Sequence, residues 1–93
     1  MIIGTIITYN DMPLIVDCVK SLYNKVDKIV VIDGRYLDYP GDEPYSTDGT
    51  IEYLNGLGKI DLILVNGATE LEKRHLYLTR CNDGDIVLNL DAD

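Results

Sequence analysis

The sequence predicts an α/β domain with a Rossmann-like three-layer α/β/α arrangement and a four-stranded, mainly parallel sheet. Three observations predict it. Four apolar stretches, Ile2–Thr8, Lys28–Asp33, 60–65 and 85–90, have the length and β-branched content of strands buried on both faces. Helical periodicity or helix-capping residues fill the intervals, in the order β-α-β-loop-α-β-α-β. Three of the stretches also end in polar residues, at the edge where open parallel sheets bind ligands.

The first stretch is β-branched throughout except for Gly4 and runs into Tyr9-Asn10-Asp11. Asn10 or Asp11 is placed to cap a helix, and Pro13 is tolerated in a first turn because its missing N–H had no partner there. Over residues 13–24, Ile15, Cys18, Val19 and Leu22 form the i, i+3, i+4, i+7 stripe of a core-facing helix, with Asp17, Lys20, Ser21 and Asn24 turned away. The second stretch ends on Asp33, and a helix between two such strands is a right-handed crossover. Residues 34–47, with Pro40, Gly41 and Pro44, are predicted to be irregular. A loop this long in a small domain is more often functional or mobile than idle.

Asp48 is expected to cap a short helix through Ile51 and Leu54, with Gly56 supplying a left-handed turn at its end. After the third strand, Thr69 and Glu72 have capping-box spacing. They open a helix expected to reach about Cys81 with Leu71, Leu78 and Cys81 on its inner stripe. Asn82-Asp83-Gly84 stops it, and the last strand leads into Asp91-Ala92-Asp93.

Ninety-three residues make one domain. A net charge of −8 leaves no basic stripe to displace counterions, which argues against nucleic acid as a partner. A nucleotide is not excluded, because one metal ion reverses the sign of a site locally. Cys18 and Cys81 fit no metal-ligand spacing and read as small core hydrophobes in a reducing compartment. Met1-Ile2-Ile3 lacks the basic flank of a signal peptide, and no run approaches the ~20 apolar residues of a membrane span. A cytoplasmic location is the expectation.

If the first and fourth strands are neighbours with the second on the other side, Thr8-Tyr9-Asn10, Asp33 and Asp91/Asp93 converge on a switch-point crevice. Taken singly, Asp33 also suits a turn and the terminal pair a solvated chain end. Together, two close carboxylates make most sense with a cation. A metal so held acts as a Lewis acid on a diphosphate leaving group. Asp33 would accept a hydrogen bond from a base N–H or a ribose hydroxyl. Neither a Gly-x-Gly-x-x-Gly turn nor a Walker-type lysine loop is present, which disfavours dinucleotide and P-loop binding.

Four blocks occur in a familiar order: Ile6-Ile7-Thr8-Tyr9-Asn10, then Ile29-Val30-Val31-Ile32-Asp33-Gly34, then Ser46-Thr47-Asp48-Gly49-Thr50, and finally Gly84 through Leu90 followed by Asp91-Ala92-Asp93. With them the chain resembles the N-terminal, donor-binding half of family 2 glycosyltransferases of the GT-A fold, over essentially its whole length. The resemblance implies a nucleotide-sugar donor, UDP- or GDP-linked. It implies Thr8, Tyr9 and Asn10 lining the nucleoside pocket and Asp33 on the base. Asp91 and Asp93 match the family's Asp-x-Asp, which contacts the ribose and a Mn²⁺ or Mg²⁺ ion. Lys73-Arg74-His75 stands near the family's Ala-Arg-Asn segment with a one-residue offset, making Arg74 a candidate nucleotide contact.

The chain departs from that pattern in two ways. Residues 35–45 are inserted before Ser46, and a second Asp usual in the family is absent. Tyr36, Tyr39 and Tyr45 in the insert would stack on a ligand or pin the loop. The resemblance also places the acceptor half and catalytic base beyond the Asp-x-Asp, so no catalytic residue is named. His75 reads as a partly buried helix residue rather than a catalytic one. An inactive, truncated or degenerate nucleotide-binding module is the alternative. A phosphotransferase with an Asp-x-Asp nucleophile fits less well, since that pair usually follows the first strand. A sheet missing later strands is expected to self-associate through its exposed edge.

Overall fold

The structure, a computed structural model, describes residues 1–91; Asp93, expected to hold metal, lies outside the described residues. The elements are β1 (Ile2–Thr8), α1 (Leu14–Tyr23), β2 (Lys28–Asp33), α2 (Thr50–Asn55), β3 (Ile60–Leu64), α3 (Glu70–Leu78) and β4 (Ile86–Asn89). They build an α/β fold on one sheet ordered β3-β2-β1-β4. Each strand pairing is parallel, so the mainly parallel sheet of the sequence reading is fully parallel among the described residues.

The period-two alternation of two buried strands divides the core. Ile6, Ile29 and Val31 face α1 and α2, packing with Ile15, Val19, Leu22 and Leu54. Ile3, Ile7, Val30 and Ile32 face the other way, onto Tyr77 of α3. Each such side chain taken fully from water contributes about 1.5–3 kcal/mol, so β1 and β2, covered on both faces, anchor the fold. Gly4 breaks the β-branched run because α1 passes close by: a Cβ there would lie 3.0 Å from Leu22 Cδ1.

The outer strands differ from the expectation of burial on both faces. β3 is only partly buried, and in β4 Ile86 and Leu88 are 57% and 39% exposed. They are the sheet's edges; α1 and α3 cover its centre, and α2 packs toward β3.

Local signals hold unevenly. The α1 stripe is as the spacing predicts, with Cys18 half-buried beside it. Neither Asn10 nor Asp11 caps that helix through its side chain; Pro13 occupies the N-cap, because Asp11 is drawn back onto β1. Asp48 does receive the Thr50 N–H at 3.1 Å, from one position before the N-cap Gly49. Gly56 is right-handed, with φ −82°, and the left-handed residue of that connection is Lys59.

In α3 the capping box forms as predicted, but the helix ends at Leu78, and of the expected inner stripe only Cys81, just past that end, packs against the core. Leu71 and Leu78 are 63% and 50% exposed, whereas Lys73 and Tyr77 are buried. The capping box fixes the rotation of the helix. It turns Lys73, Leu76 and Tyr77, related by i, i+3, i+4 spacing, toward the sheet.

Candidate functional site at the carboxyl ends of the strands

Sheet order places β1 between β2 and β4, so the switch point anticipated from the sequence lies at the carboxyl ends of β1 and β4. Register aligns Thr8 with Asp33, and Asp33 in turn with Leu64. Beyond β2 the backbone must pass very close to the chain leaving β3. A Cβ on Gly34 would lie 1.5 Å from the Val65 carbonyl oxygen, so only glycine fits there.

The end of β1 is knitted by its own side chains. Asp11 accepts from the Thr8 hydroxyl at 2.7 Å and the Tyr9 N–H at 3.0 Å. This turn puts Asn10 at φ 53°, a left-handed conformation that asparagine tolerates. From there the Asn10 N–H donates to Ser46 Oγ at 2.8 Å, and its side-chain oxygen accepts the Thr47 N–H at 2.8 Å. Ser46 passes the chain of bonds on: its N–H donates to Asp33 at 2.9 Å and its hydroxyl to the other carboxylate oxygen.

Asp33 is fully buried, and burial raises its pKa against the opposing effects of Ser46 and Lys73. Asp48, near the surface, goes the other way. Desolvation, the largest single influence, raises its pKa, but the hydrogen bonds from the Thr50 hydroxyl and the Met12 and Thr50 N–H groups together outweigh it and lower the pKa.

Lys73 is the residue sequence reasoning passed over. Its side chain is completely buried, and Nζ donates to the carbonyls of Thr8 at 3.2 Å and Gly34 at 2.5 Å. The same ammonium lies 3.6 Å from the centroid of the Tyr36 ring. Burial pulls its pKa down to about 8, opposed by the charges of Asp33 and Asp11. The four-residue step from Lys73 to Tyr77 puts both on one helix face, but the apolar pattern points to the face of Leu71 and Leu78 instead.

The inserted residues 35–45 fold back on this network. The Tyr9 hydroxyl donates to the Glu43 carbonyl at 2.6 Å, and its ring meets Tyr39 edge-on at 5.3 Å. Arg35 is held at both levels, by its N–H on the Pro44 carbonyl and its guanidinium on Tyr39 O and Asn66. Tyr36 and Tyr39 therefore pin the loop.

A second group forms off the end of β4. Arg74 pairs with Glu70 at 2.6 Å and with Asp91 at 3.3 Å, while Cys18 Sγ donates to the Asp91 carbonyl at 3.2 Å. Thus Thr8, Tyr9, Asn10 and Asp33 are gathered into one bonded network, and Arg74 and Asp91 into another. His75 is exposed rather than partly buried. It lines a groove of about 390 Å³ with Val65, Ala68, Glu72, Leu76 and Thr79. A groove of about 360 Å³ lies between α1 and α2 at Val19, Tyr23, Tyr53 and Leu57. None of the sequence-predicted site residues that are described lines either groove.

Among the described residues no three His, Cys, Asp or Glu side chains are grouped to hold a metal ion. The described contribution to such a site is the single carboxylate of Asp91, already paired with a cation, which is not a donor set for Mn²⁺ or Mg²⁺ by itself. No protein-family model, curated protein or solved structure matches the chain.

Proposed function

We propose that the chain is the donor-binding part of a metal-dependent glycosyltransferase similar to family 2, holding a UDP- or GDP-sugar at the carboxyl ends of β1 and β4. The observation that carries this reading is the sheet order, which brings the Thr8-Tyr9-Asn10 end of β1 beside the strand leading to Asp91. The ordered sequence blocks support it, as does Arg74, a guanidinium suited to a phosphate or ribose, standing on Asp91. In this reading Asp91 and Asp93 share a Mn²⁺ or Mg²⁺ with the diphosphate, whose own oxygens complete the ligand set. Thr8, Tyr9 and Asn10 form the nucleoside wall, with Asp33 behind them on the base side.

Equilibrium dialysis against UDP and GDP, with and without Mn²⁺, tests the proposal. Metal-dependent retention of one nucleotide is expected, and no retention of either contradicts it.

One observation favours a second reading. Asp33 is completely buried with Ser46 bonded to both of its oxygens, so a base could reach that carboxylate only if the residues covering it moved aside. A module that keeps the fold without turning over a donor would retain such a closed network. Release of sugar from radiolabelled donors would rule that module out. The exposed Ile86 and Leu88 of β4 also support self-association across that edge.

A further inference from the structure

The most unusual group in the molecule is the Lys73 ammonium, and its three partners belong to three different segments. Thr8 O closes β1, Gly34 O closes β2, and the Tyr36 ring belongs to the loop of residues 34–49. The two strand ends are fixed by the central pairing of the sheet, with Thr8 in register with Asp33. The Tyr36 side is the one able to give way: it is joined to the chain after β3 by an isolated bridge to Ala68 and the Leu37 N–H on Ala68 O at 3.0 Å, outside the sheet, and residues 37–43 beyond it are exposed.

We infer that Lys73 is the pin of this loop: opening the loop at Tyr36 exposes the buried Nζ to water, so that wherever the closed form holds the amine neutral, opening takes up a proton. The inference rests on the geometry of Lys73 and does not depend on the nucleotide-sugar reading.

The groups facing the ammonium are Asp33 from β2, Asp11 from the β1–α1 turn and the Tyr36 phenol ring from the loop. On α3 itself the neighbouring charges are committed elsewhere, Glu72 to Thr69 and Arg74 to Glu70 and Asp91. The direction of the coupling follows from linkage. A hydrated lysine keeps its ordinary value of 10.5, while Lys73 in place is lowered to about 8. Between those values the closed form binds fewer protons than the open form, so raising the pH favours closure. Below about 8 both forms are charged and the balance is flat.

Trypsin cleavage after Arg35, next to the pinned segment, reads the opening when resolved by mass spectrometry. Rates are normalised to an unstructured peptide carrying the same site. For the wild-type chain the normalised rate should fall about tenfold between pH 7 and pH 9, given the two values above. In Lys73→Met, which keeps the stem and removes the charge, and in Lys73→Arg, which keeps the charge, the ratio should be near one. A wild-type rate independent of pH overturns the inference, as does a fall that persists in Lys73→Met. Should the variants not fold, the wild-type chain labelled at lysine ¹³Cε decides by NMR. One lysine must titrate near 8, and ordinary titration of every lysine overturns the inference.

Discussion

Ser46 places both its backbone N–H, at 2.9 Å, and its hydroxyl on the buried carboxylate of Asp33. This pair joins the end of β2 to a residue thirteen positions later, and through Asn10 to the end of β1. It closes the loop that the sequence left irregular.

Burial of Asp33 sets a pH dependence. Its pKa is raised from 3.8, so the folded state holds the proton more tightly than the unfolded chain. The stabilisation from that proton is fully present below 3.8 and is lost as pH rises through the folded value. Asp33→Asn removes this titration. Urea denaturation at a series of pH values should show the wild-type stability falling relative to the variant above pH 3.8. A constant difference would refute the assignment.

Gly34→Ala should be among the most damaging single changes in the chain. The added Cβ meets the Val65 backbone, which cannot move aside without breaking the 2.9 Å bond from Val65 N–H to Asp33 O. A loss of about 3 kcal/mol or more is expected in chemical denaturation. A loss within 0.5 kcal/mol, the ordinary range for surface changes, would mean the close approach is absent.

Thr69→Ala removes one half of the α3 capping box and with it the constraint on how the helix is rotated. A loss of about 1 kcal/mol is expected. Because the cap phases Lys73 and Tyr77 toward the sheet, NMR shifts at Thr8 and Gly34 should change as well. Stability loss with unchanged shifts there would separate the cap from the network.

The fold was legible because β1 and β2 are buried on both faces, and such strands announce themselves as unbroken apolar runs. The α1 stripe was legible for the same reason. α3 was not, since its inner face carries a lysine and a tyrosine while two leucines face water, which inverts the pattern that periodicity reads. Of the site, the polar strand ends were visible in the sequence. What holds them was not: Ser46 and Lys73 reach Asp33, Thr8 and Gly34 across 13, 65 and 39 residues. No local spacing encodes contacts of that kind.

The edge of β4 makes its own prediction. Ile86, Val87, Leu88 and Asn89 carry no charge to block pairing with another strand. Sedimentation of the wild-type chain at high concentration should show a dimer, and Leu88→Lys should return it to monomer. A wild-type chain that stays monomeric would show that the edge does not pair.

The central claim is that the β1/β4 switch point binds a nucleoside diphosphate through a metal ion. Calorimetric titration of the chain with UDP and with GDP in Mn²⁺, repeated with Asp91→Asn and Asp93→Ala, tests it most directly. The account predicts binding of one nucleotide that needs the metal and is weakened at least tenfold by either substitution, about 1.4 kcal/mol. Absence of binding, or binding indifferent to metal and to both carboxylates, would contradict it.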